Sequence, residues 1–316
     1  MKHAHDDTQM SAQENDALQQ IQSGPQGGET VPVTRDFLRW LSGARAPAVK
    51  SPEAAPATDG KALPAKTADQ AAAKEEQING SLFVKGAGDA NEVDINDVQQ
   101  GQVGDCYFVA VLAAIARVNP DFIKSMVKDN GDGTYTVTFH TKQGFSGLFG
   151  SRSNQSVTVD SKFWTDGAGN PVYAKKGDTD AGGKPELWVM VIEKAWAKLQ
   201  GSYDDINGGK VGDDARKAVT GKDVDYIDPN DLSDTELTKK IEAAWAAKQP
   251  VIFWSHGDEK SKKLSKNGVI TDHEYALNAA GGGKFTLYNP WGYQHLTDVD
   301  AAFIKANFQK IRFLTL

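Results

Sequence analysis

The sequence lacks the features that mark disulfide-stabilised, nucleic-acid-binding and membrane-spanning proteins. Only one of its 316 residues, Cys106, is a cysteine, so no disulfide can form within the chain. The formal net charge is −7 and no long basic segment occurs, so no electrostatic footprint for nucleic acid is present. No apolar run reaches the roughly 18 residues that a membrane helix needs.

The N-terminus also lacks the apolar segment of a secretory signal. Residues 1–15 are polar throughout, and no classical signal peptide is expected. This composition predicts a cytoplasmic protein or, as an alternative, an effector exported by a dedicated secretion machine.

Residues 1–79 are expected to be a disordered tail followed by a linker. Residues 1–30 have too few apolar side chains to offset the entropy of ordering. Residues 34–42, TRDFLRWLS, can form a short helix, which is either transient or a docking or inhibitory segment. Residues 44–77 are rich in Ala and Pro and contain no aromatic residue, as is typical of a linker. A folded domain is predicted over residues 80–316.

Three segments of that domain have the pattern of helices, namely residues 105–118, 187–201 and 233–248. The first is almost wholly apolar and predicts a buried central helix that Asp105 caps. The second is amphipathic and ends at Gly201. The third begins with a capping box made by Ser233 and Glu236.

The strand patterns lie between and after these helices. Residues 134–140 and 156–159 alternate in polarity, and the Gly-rich stretch GFSGLFGS between them predicts a loop. After Pro250 four segments predict strands: VIFWS, EYALNAA, GKFTLYN and KIRFLTL. Helices come first and an antiparallel sheet last, which predicts an α+β fold with two lobes.

Cys106 is a candidate nucleophile. It would be the first residue of the predicted central helix, where backbone N–H groups and the helix dipole favour a thiolate. The preceding residues, QQGQVGD, include two glycines that allow the backbone to approach a substrate closely. A buried apolar cysteine at a helix start is the alternative, and position alone does not decide between the two.

His273 and Asn289 are candidates for the base and for the group that orients it. His273 would begin one strand and Asn289 would end the next, with the glycines at 281–283 closing a hairpin between them. An Asn side-chain oxygen can accept a ring N–H and so fix the tautomer whose other nitrogen takes the thiol proton. The order Cys, His, Asn is that of papain-like enzymes. A structural histidine and an ordinary Asn-Pro turn are the alternatives.

Three segments together resemble the calpain family of cysteine peptidases: residues 100–116, 187–209 and 289–292. The middle one, LWVMVIEKAWAKLQGSYDDINGG, is the most specific, because papain-like chemistry in general does not require it. The resemblance covers roughly residues 80–315, the catalytic core alone, as in bacterial or divergent members. It implies a papain-like two-lobed fold, with a helical lobe around the Cys helix and an antiparallel β lobe.

The resemblance implies catalytic roles for four residues. Cys106, His273 and Asn289 fall on the triad positions. Gln100 falls on the position whose side-chain amide forms an oxyanion hole with the backbone N–H of Cys106. Two donors aimed at a developing oxyanion are the arrangement that such chemistry needs.

The resemblance also implies a set of cleft residues. Gly208 and Gly209 match glycines that line the substrate cleft, and Trp291 matches a tryptophan that shields the Asn–His hydrogen bond. One departure is Asp272, because the family usually has glycine before the histidine. A carboxylate beside the cleft would change which substrate side chains are accepted.

The resemblance suggests calcium as a possible cofactor. We do not expect the activity to require a cofactor. Asp97 and Glu193 match carboxylate ligand positions of the first lobe. Alternatively, both are structural, with Asp97 capping the loop before the Cys106 helix and Glu193 pairing with a lysine. In the second lobe His295 stands where a carboxylate is expected, and imidazole is a poor calcium ligand. We therefore expect activity to persist in a chelator.

The expected function is hydrolysis of protein or peptide substrates through an acyl-enzyme. Transglutamination or deamidation of protein glutamine on the same triad is one alternative. A catalytically silent binding module is another, although such a module would not need all four catalytic groups. The sequence leaves the cleavage specificity and the oligomeric state open.

Overall fold

The structure is a computed structural model that describes residues 73–87, 89–142, 152–209, 212–257 and 267–316. The helix expected at residues 34–42, most of the expected linker and the loop expected at residues 144–151 lie outside these ranges.

The predicted central helix is present and buried. α1, Cys106–Val118, is buried from Cys106 to Ala116. Its apolar residues cover every face, so the helix can be accommodated only inside the protein. It ends at Asn119, whose side chain caps the next helix, α2, Pro120–Met126.

Two further helices complete the first lobe, residues 73–220. α3, Trp188–Gln200, ends as predicted at Gly201, whose φ of 119° is a conformation that favours glycine. α4, Gly212–Thr220, packs against α1.

The first lobe also contains two small antiparallel sheets. β1, Lys74–Gln77, pairs with β5, Lys162–Thr165. The other sheet has the order β2-β3-β4, made of Val127–Asp129, Thr134–Lys142 and Arg152–Asp160. β3 and β4 contain the strands predicted from the alternating pattern.

The second lobe, residues 226–316, is a six-stranded antiparallel sheet packed against two helices. The strand order is β10-β9-β8-β7-β11-β6. In chain order the strands are β6, Tyr226–Ile227; β7, Val251–Ser255; β8, Glu274–Gly281; β9, Lys284–Tyr288; β10, Leu296–Val299; and β11, Phe308–Phe313. The helices are α5, Asp234–Ala246, which begins with the predicted capping box, and α6, Ala301–Asn307.

Each lobe has its own hydrophobic core, which confirms the predicted two-lobed α+β fold. The first core surrounds α1 and α3, and the second lies between the large sheet and α5 and α6. The first core also includes Ile252 from β7 and Ala276 from β8. α1 therefore packs directly against the sheet of the second lobe. No helix in the described ranges has the length and apolar character needed to cross a membrane.

Ordered structure begins before residue 80, the predicted start of the domain. β1, Lys74–Gln77, is hydrogen-bonded to β5, and Ile78 is buried with 7% of its surface exposed. The strand reads KEEQ, and its polar composition is indistinguishable from that of the linker before it. It lies at the edge of a two-stranded sheet, where polar side chains remain partly exposed.

A chain that starts at residue 80 is expected to be less stable than one that starts at residue 73. It loses the β1 ladder, whose backbone hydrogen bonds stabilise by about 1 kcal/mol each, and it loses buried Ile78. Since 1 kcal/mol changes Tm by about 2–4 °C in a domain of this size, thermal unfolding should show a Tm lower by about 5–10 °C. Equal Tm values for the two chains would contradict the assignment of β1 to the domain.

Candidate active site

Cys106 is the first residue of α1, as predicted, and is a buried free thiol with 7% of its surface exposed. The N–H groups of a first helical turn have no intrahelical acceptor, so the positive end of the helix dipole lies at this sulfur. The loop before it depends on glycine, because a Cβ at Gly101 would lie 2.0 Å from the carbonyl oxygen of Tyr173.

His273 is completely buried and precedes β8 directly. Its backbone is fixed to β7 by Ser255. The His273 N–H donates to Ser255 Oγ at 3.0 Å, and the His273 carbonyl accepts from the Ser255 N–H at 3.0 Å. These two bonds set the position of the imidazole relative to the sheet.

Asn289 follows β9 and lies against His273. Asn289 Oδ1 and His273 Nε2 are 2.9 Å apart, and the predicted hairpin between them turns at the glycines 282–283. The Trp291 N–H donates to the same Oδ1 at 3.1 Å, and the Trp291 ring lies 4.8 Å from the imidazole. The Trp291 ring, which was expected to shield the Asn–His hydrogen bond, therefore lies next to the imidazole.

This contact fixes the protonation pattern of the neutral imidazole. An amide oxygen can only accept a hydrogen bond, so Nε2 of His273 must carry the hydrogen that it donates to Asn289. Nδ1 is then the unprotonated nitrogen of the neutral ring. It is the atom that can take a proton from a thiol.

His295 holds the backbone of Asn289. The Asn289 N–H donates to His295 Nδ1 at 3.1 Å, and the His295 ring stacks on Tyr288 at 4.3 Å. Only an unprotonated Nδ1 can accept this bond, and burial lowers the pKa of His295. His295, which departs from the family's acidic pattern, therefore holds Asn289 in position.

A cavity of about 650 Å³ opens between the lobes at the N-terminus of α1. Cys106 lines it from the first lobe, and Asp272 and Glu274, the chain neighbours of His273, line it from the second. The Tyr275 ring lies edge-on to His273 at 5.2 Å. Burial raises the pKa of Tyr275, and Cys106 adds to that rise. The candidate nucleophile therefore lines the same cleft as the two chain neighbours of the candidate base.

Gly208 and Gly209 line the same cavity, as the resemblance implied. Both have positive φ, 82° and 77°, and no atom lies within 4 Å of the position that a Cβ would take on either. The Gly208 N–H donates to the carbonyl of Gly104 at 2.9 Å, which ties this segment to the loop before Cys106.

Gln100 is buried in that loop. Its backbone N–H donates to the carbonyl of Pro290 in the second lobe at 2.8 Å, and its Nε2 donates to the carbonyl of Val103 at 2.8 Å. An amide nitrogen has two hydrogens, so the second can still serve another acceptor.

Asp272 occupies a backbone position suited to glycine. Its φ is +50°, in the left-handed region that glycine adopts freely and that Asp tolerates better than most residues. Asp272 Oδ1 accepts a hydrogen bond from Trp254 Nε1 at 3.4 Å. The predicted departure from the family thus adds a carboxylate to the lining of the cavity.

Comparison with known proteins gives the same family. Residues 79–298 match the model of the calpain family of cysteine proteases. The calpain-type cysteine protease ADL1 of Oryza sativa subsp. japonica is 29% identical over 214 residues, or 64% of this chain. The calpain-type cysteine protease DEK1 of Arabidopsis thaliana is 30% identical over 220 residues, or 65% of the chain. Calpain-13 of Rattus norvegicus is 27% identical over 212 residues, or 62% of the chain.

The chain belongs to the calpain family of cysteine proteases. It spans only part of these relatives: 9% of each of the two plant proteins and 29% of the rat protein. The family assignment therefore describes a catalytic core and leaves the remaining regions of those relatives without a counterpart in the match.

The predicted cap of α1 is wrong. Asp105 occupies the N-cap position, but its side chain makes no capping hydrogen bond. It is completely buried against Glu193, which accepts from the Ala174 N–H at 2.9 Å. Burial raises the pKa of Glu193 well above its usual range, and the Asp105 charge adds to the rise. Glu193 thus lies against a carboxylate, while the charge of Lys175 opposes the rise of its pKa.

The calcium pair of Asp97 and Glu193 stays a prediction, and the structure shows other carboxylates beside Asp97. One carboxylate oxygen from each of Asp89, Asp97 and Asp178 lies within 4.8 Å of the others, and Glu186 lies beside Asp97. Burial raises the pKa of Asp97 to about 6 and that of Glu186 to about 10. Glu186 precedes α3 and lies beside Asp97, whereas Glu193 lies within α3 and beside Asp105.

The suggested structural role of Asp97 is confirmed in part. The 3-10 turn Ile95–Asp97 is closed by a capping box, in which Asp97 Oδ2 accepts from the Asp94 N–H at 2.6 Å. The same oxygen accepts from Trp188 Nε1 at 3.0 Å. Asp97 therefore joins the loop before α1 to the start of α3.

Sequence analysis did not show which residues hold His273 and Asn289 in position. Ser255 and His295 fix His273 and Asn289 but belong to no motif, and a serine at a strand end gives no signal of such a role. Arg216 and Glu274 form a buried ion pair. A signal was available there, because Arg216 lies among Ala215, Ala218 and Val219, and an arginine in such a segment needs a partner if it is buried.

Replacing His295 is expected to change the pH dependence of stability. The folded pKa of His295 is lowered from 6.5, so the unfolded chain binds more protons and His295 reduces stability as the pH falls below about 6.5. The free energy of unfolding, measured in urea from pH 7.5 to 5, should decline less steeply for His295→Gln than for the wild type. The matched variant His256→Gln replaces an exposed ring and is the control for loss of a histidine. Equal slopes for His295→Gln and wild type would refute the role.

Proposed function

We propose that this chain is a cysteine endopeptidase in which Cys106 is the nucleophile, His273 the base and Asn289 the group that orients the base. The observation that carries the proposal is the 2.9 Å contact between His273 Nε2 and Asn289 Oδ1. It leaves Nδ1 as the proton acceptor on a ring whose chain neighbours line the same cavity as Cys106.

The reaction uses the two ring nitrogens differently. His273 Nδ1 takes the proton of the Cys106 thiol, and the thiolate attacks the peptide carbonyl carbon. The resulting imidazolium gives that proton to the leaving amine as the C–N bond breaks, which leaves an acyl-enzyme. Nδ1 then takes a proton from water, whose oxygen attacks the thioester and releases the acid and the thiol. Asn289 keeps its bond to Nε2–H throughout.

Two donors stabilise the oxyanion in this proposal: the Cys106 backbone N–H and the second N–H of the Gln100 amide. The first hydrogen of that amide is held by Val103, which fixes the amide plane in advance. Loss of one such donor costs about 10²–10³ in kcat in a comparable site. Gly208 and Gly209 offer an open backbone wall to an extended substrate.

The triad should respond to substitution as a unit. Cys106→Ala and His273→Ala should each lower kcat for peptide cleavage by at least about 10⁴-fold, and the double variant should be scarcely worse than either. Asn289→Ala should lose less, because it removes only the orientation of the ring. His256→Ala is the control, since that side chain is exposed, and it should retain full activity.

Mass spectrometry of proteins incubated with wild type and with Cys106→Ala is the assay. New peptide termini that appear with the wild type alone support the proposal. Full cleavage by Cys106→Ala would refute it. Release of ammonia without chain cleavage would replace it by glutamine deamidation or transglutamination, and the absence of any thiol-dependent product would leave a binding module.

We also propose that the acidic cluster of Asp89, Asp97, Asp178 and Glu186 binds calcium. The donor set fits a hard cation, which prefers carboxylate oxygens. Glu186 Oε2 is buried with no hydrogen-bond partner among the described residues, and a cation would supply the missing partner. All four residues lie in the first lobe, so a bound ion would add its positive charge to that lobe only.

Calcium is expected to stabilise the protein without being required for cleavage. A cation at a hundredfold excess over its Kd adds about 2.7 kcal/mol to the free energy of unfolding, so Tm should rise by about 5–10 °C. Differential scanning calorimetry should show this rise for the wild type and not for Asp97→Asn, and cleavage should continue in EGTA. A strict calcium requirement for cleavage, or an equal Tm rise in Asp97→Asn, would contradict the account.

A further inference from the structure

A ring of four charged side chains joins the two lobes beside the cleft. Asp213 and Arg216 lie on α4 of the first lobe, Glu274 begins β8 and Arg312 lies on β11 of the second. All four line the cavity that contains Cys106. We call this set the charge ring.

The charges alternate around the ring. Within the first lobe Arg216 contacts Asp213 at 2.9 Å, and within the second Arg312 contacts Glu274 at 3.4 Å. The other two contacts cross between the lobes. Arg216 pairs with Glu274, and Arg312 contacts Asp213 at 3.5 Å. Each charge therefore has two neighbours of opposite sign, one in each lobe.

Three of the four side chains are buried, so the loss of one partner is costly. The exposed fractions of the Arg216, Glu274 and Arg312 side chains are 2%, 5% and 6%. Removing one member of a buried ion pair leaves an uncompensated charge away from water. Desolvation already lowers the pKa of Arg312. If the lobes separated, both arginines would lose their partners across the cleft.

The ring connects the segments that carry the nucleophile and the base. Glu274 follows His273 directly in the chain, so a displacement of Glu274 also displaces His273. Arg216 lies on α4, which packs against α1, and α1 begins with Cys106. The acidic cluster around Asp97 differs in this respect, because its four carboxylates lie in one lobe.

We propose that the charge ring locks the two lobes in register, with Glu274 and Arg216 as positioning residues for the pair of Cys106 and His273. The inference rests on the proposed function, because it concerns the alignment of that pair. The lock is built from the chain's own side chains, so it operates whether or not a cation is bound to the first lobe.

The reactivity of the single cysteine tests the lock. Any alkylation of a thiol by iodoacetamide reports on Cys106 alone, and its rate depends on the thiolate that the imidazole stabilises. Glu274→Gln keeps the side-chain shape, removes the charge and leaves two arginines facing each other. At pH 6 the alkylation rate constant should fall about 10²-fold, and kcat should fall with little change in KM.

Two further variants separate a positioning role from a general loss of stability. Asp160→Asn breaks the ion pair of Asp160 with the largely buried Lys194, within the first lobe and outside the cavity lining. It should lower Tm without changing the alkylation rate. Arg216→Lys keeps the charge but loses the second contact of the guanidinium fork, so its rate should lie between those of wild type and Glu274→Gln. If Glu274→Gln does not fold, the alkylation rate of Arg216→Lys still tests the proposal.

The outcomes are distinct. A wild-type rate at pH 6 no higher than that of an ordinary thiol would refute the proposed function itself. A reactive wild-type thiol with unchanged rates in Glu274→Gln and Arg216→Lys would refute the lock alone. Equal losses of rate in Glu274→Gln and Asp160→Asn would also refute the lock, since they would reflect stability. Calcium should not restore the Glu274→Gln rate, and full restoration would overturn the claim that the ring acts independently of the cation.

Discussion

The whole arrangement depends on one constraint: a thiol at the start of α1 in one lobe must meet an imidazole before β8 in the other. Neither lobe contains both residues of the proposed catalytic pair. The core around α1 continues into β7 and β8, and the Gln100 N–H bonds to Pro290 across the same boundary. The Tyr288 hydroxyl donates to the carbonyl of Val98 at 2.9 Å. Apolar packing and these bonds bring the lobes together, and the charge ring adds directional contacts at the cleft.

Within the second lobe, most of the structure around His273 serves to hold one ring in one orientation. Ser255 fixes its backbone, Asn289 fixes its tautomer and Trp291 covers the bond between them. His295 in turn fixes Asn289. Each contact limits a different degree of freedom, and a base positioned in this way loses little entropy when the reaction begins. The left-handed backbone at Asp272 is a strain that the surrounding contacts sustain.

The sequence predicted those parts of the molecule whose physical signal is local. The apolar run of α1, the glycine that ends α3 and the capping box of α5 each depend on residues within a few positions of one another. Cys106, His273, Asn289 and Trp291 were singled out as candidates because motifs carry them. β1 was missed because its polar residues resemble a linker. The place of Glu186 beside Asp97 was missed because the sequence does not show which carboxylates of distant segments meet. The charge ring joins segments about 100 residues apart, from Asp213 to Arg312, so no pattern in the chain could show it.

The central claim is that Cys106 is a nucleophile activated by His273. It is tested most directly by intact-protein mass spectrometry after incubation with a peptide that carries an electrophilic ketone at its C-terminus. Because the chain has one cysteine, a single adduct on a thiol identifies Cys106 without further mapping. The account predicts rapid formation of one adduct with the wild type, slow formation with His273→Ala and none with Cys106→Ala. Equal rates for the wild type and His273→Ala would contradict it.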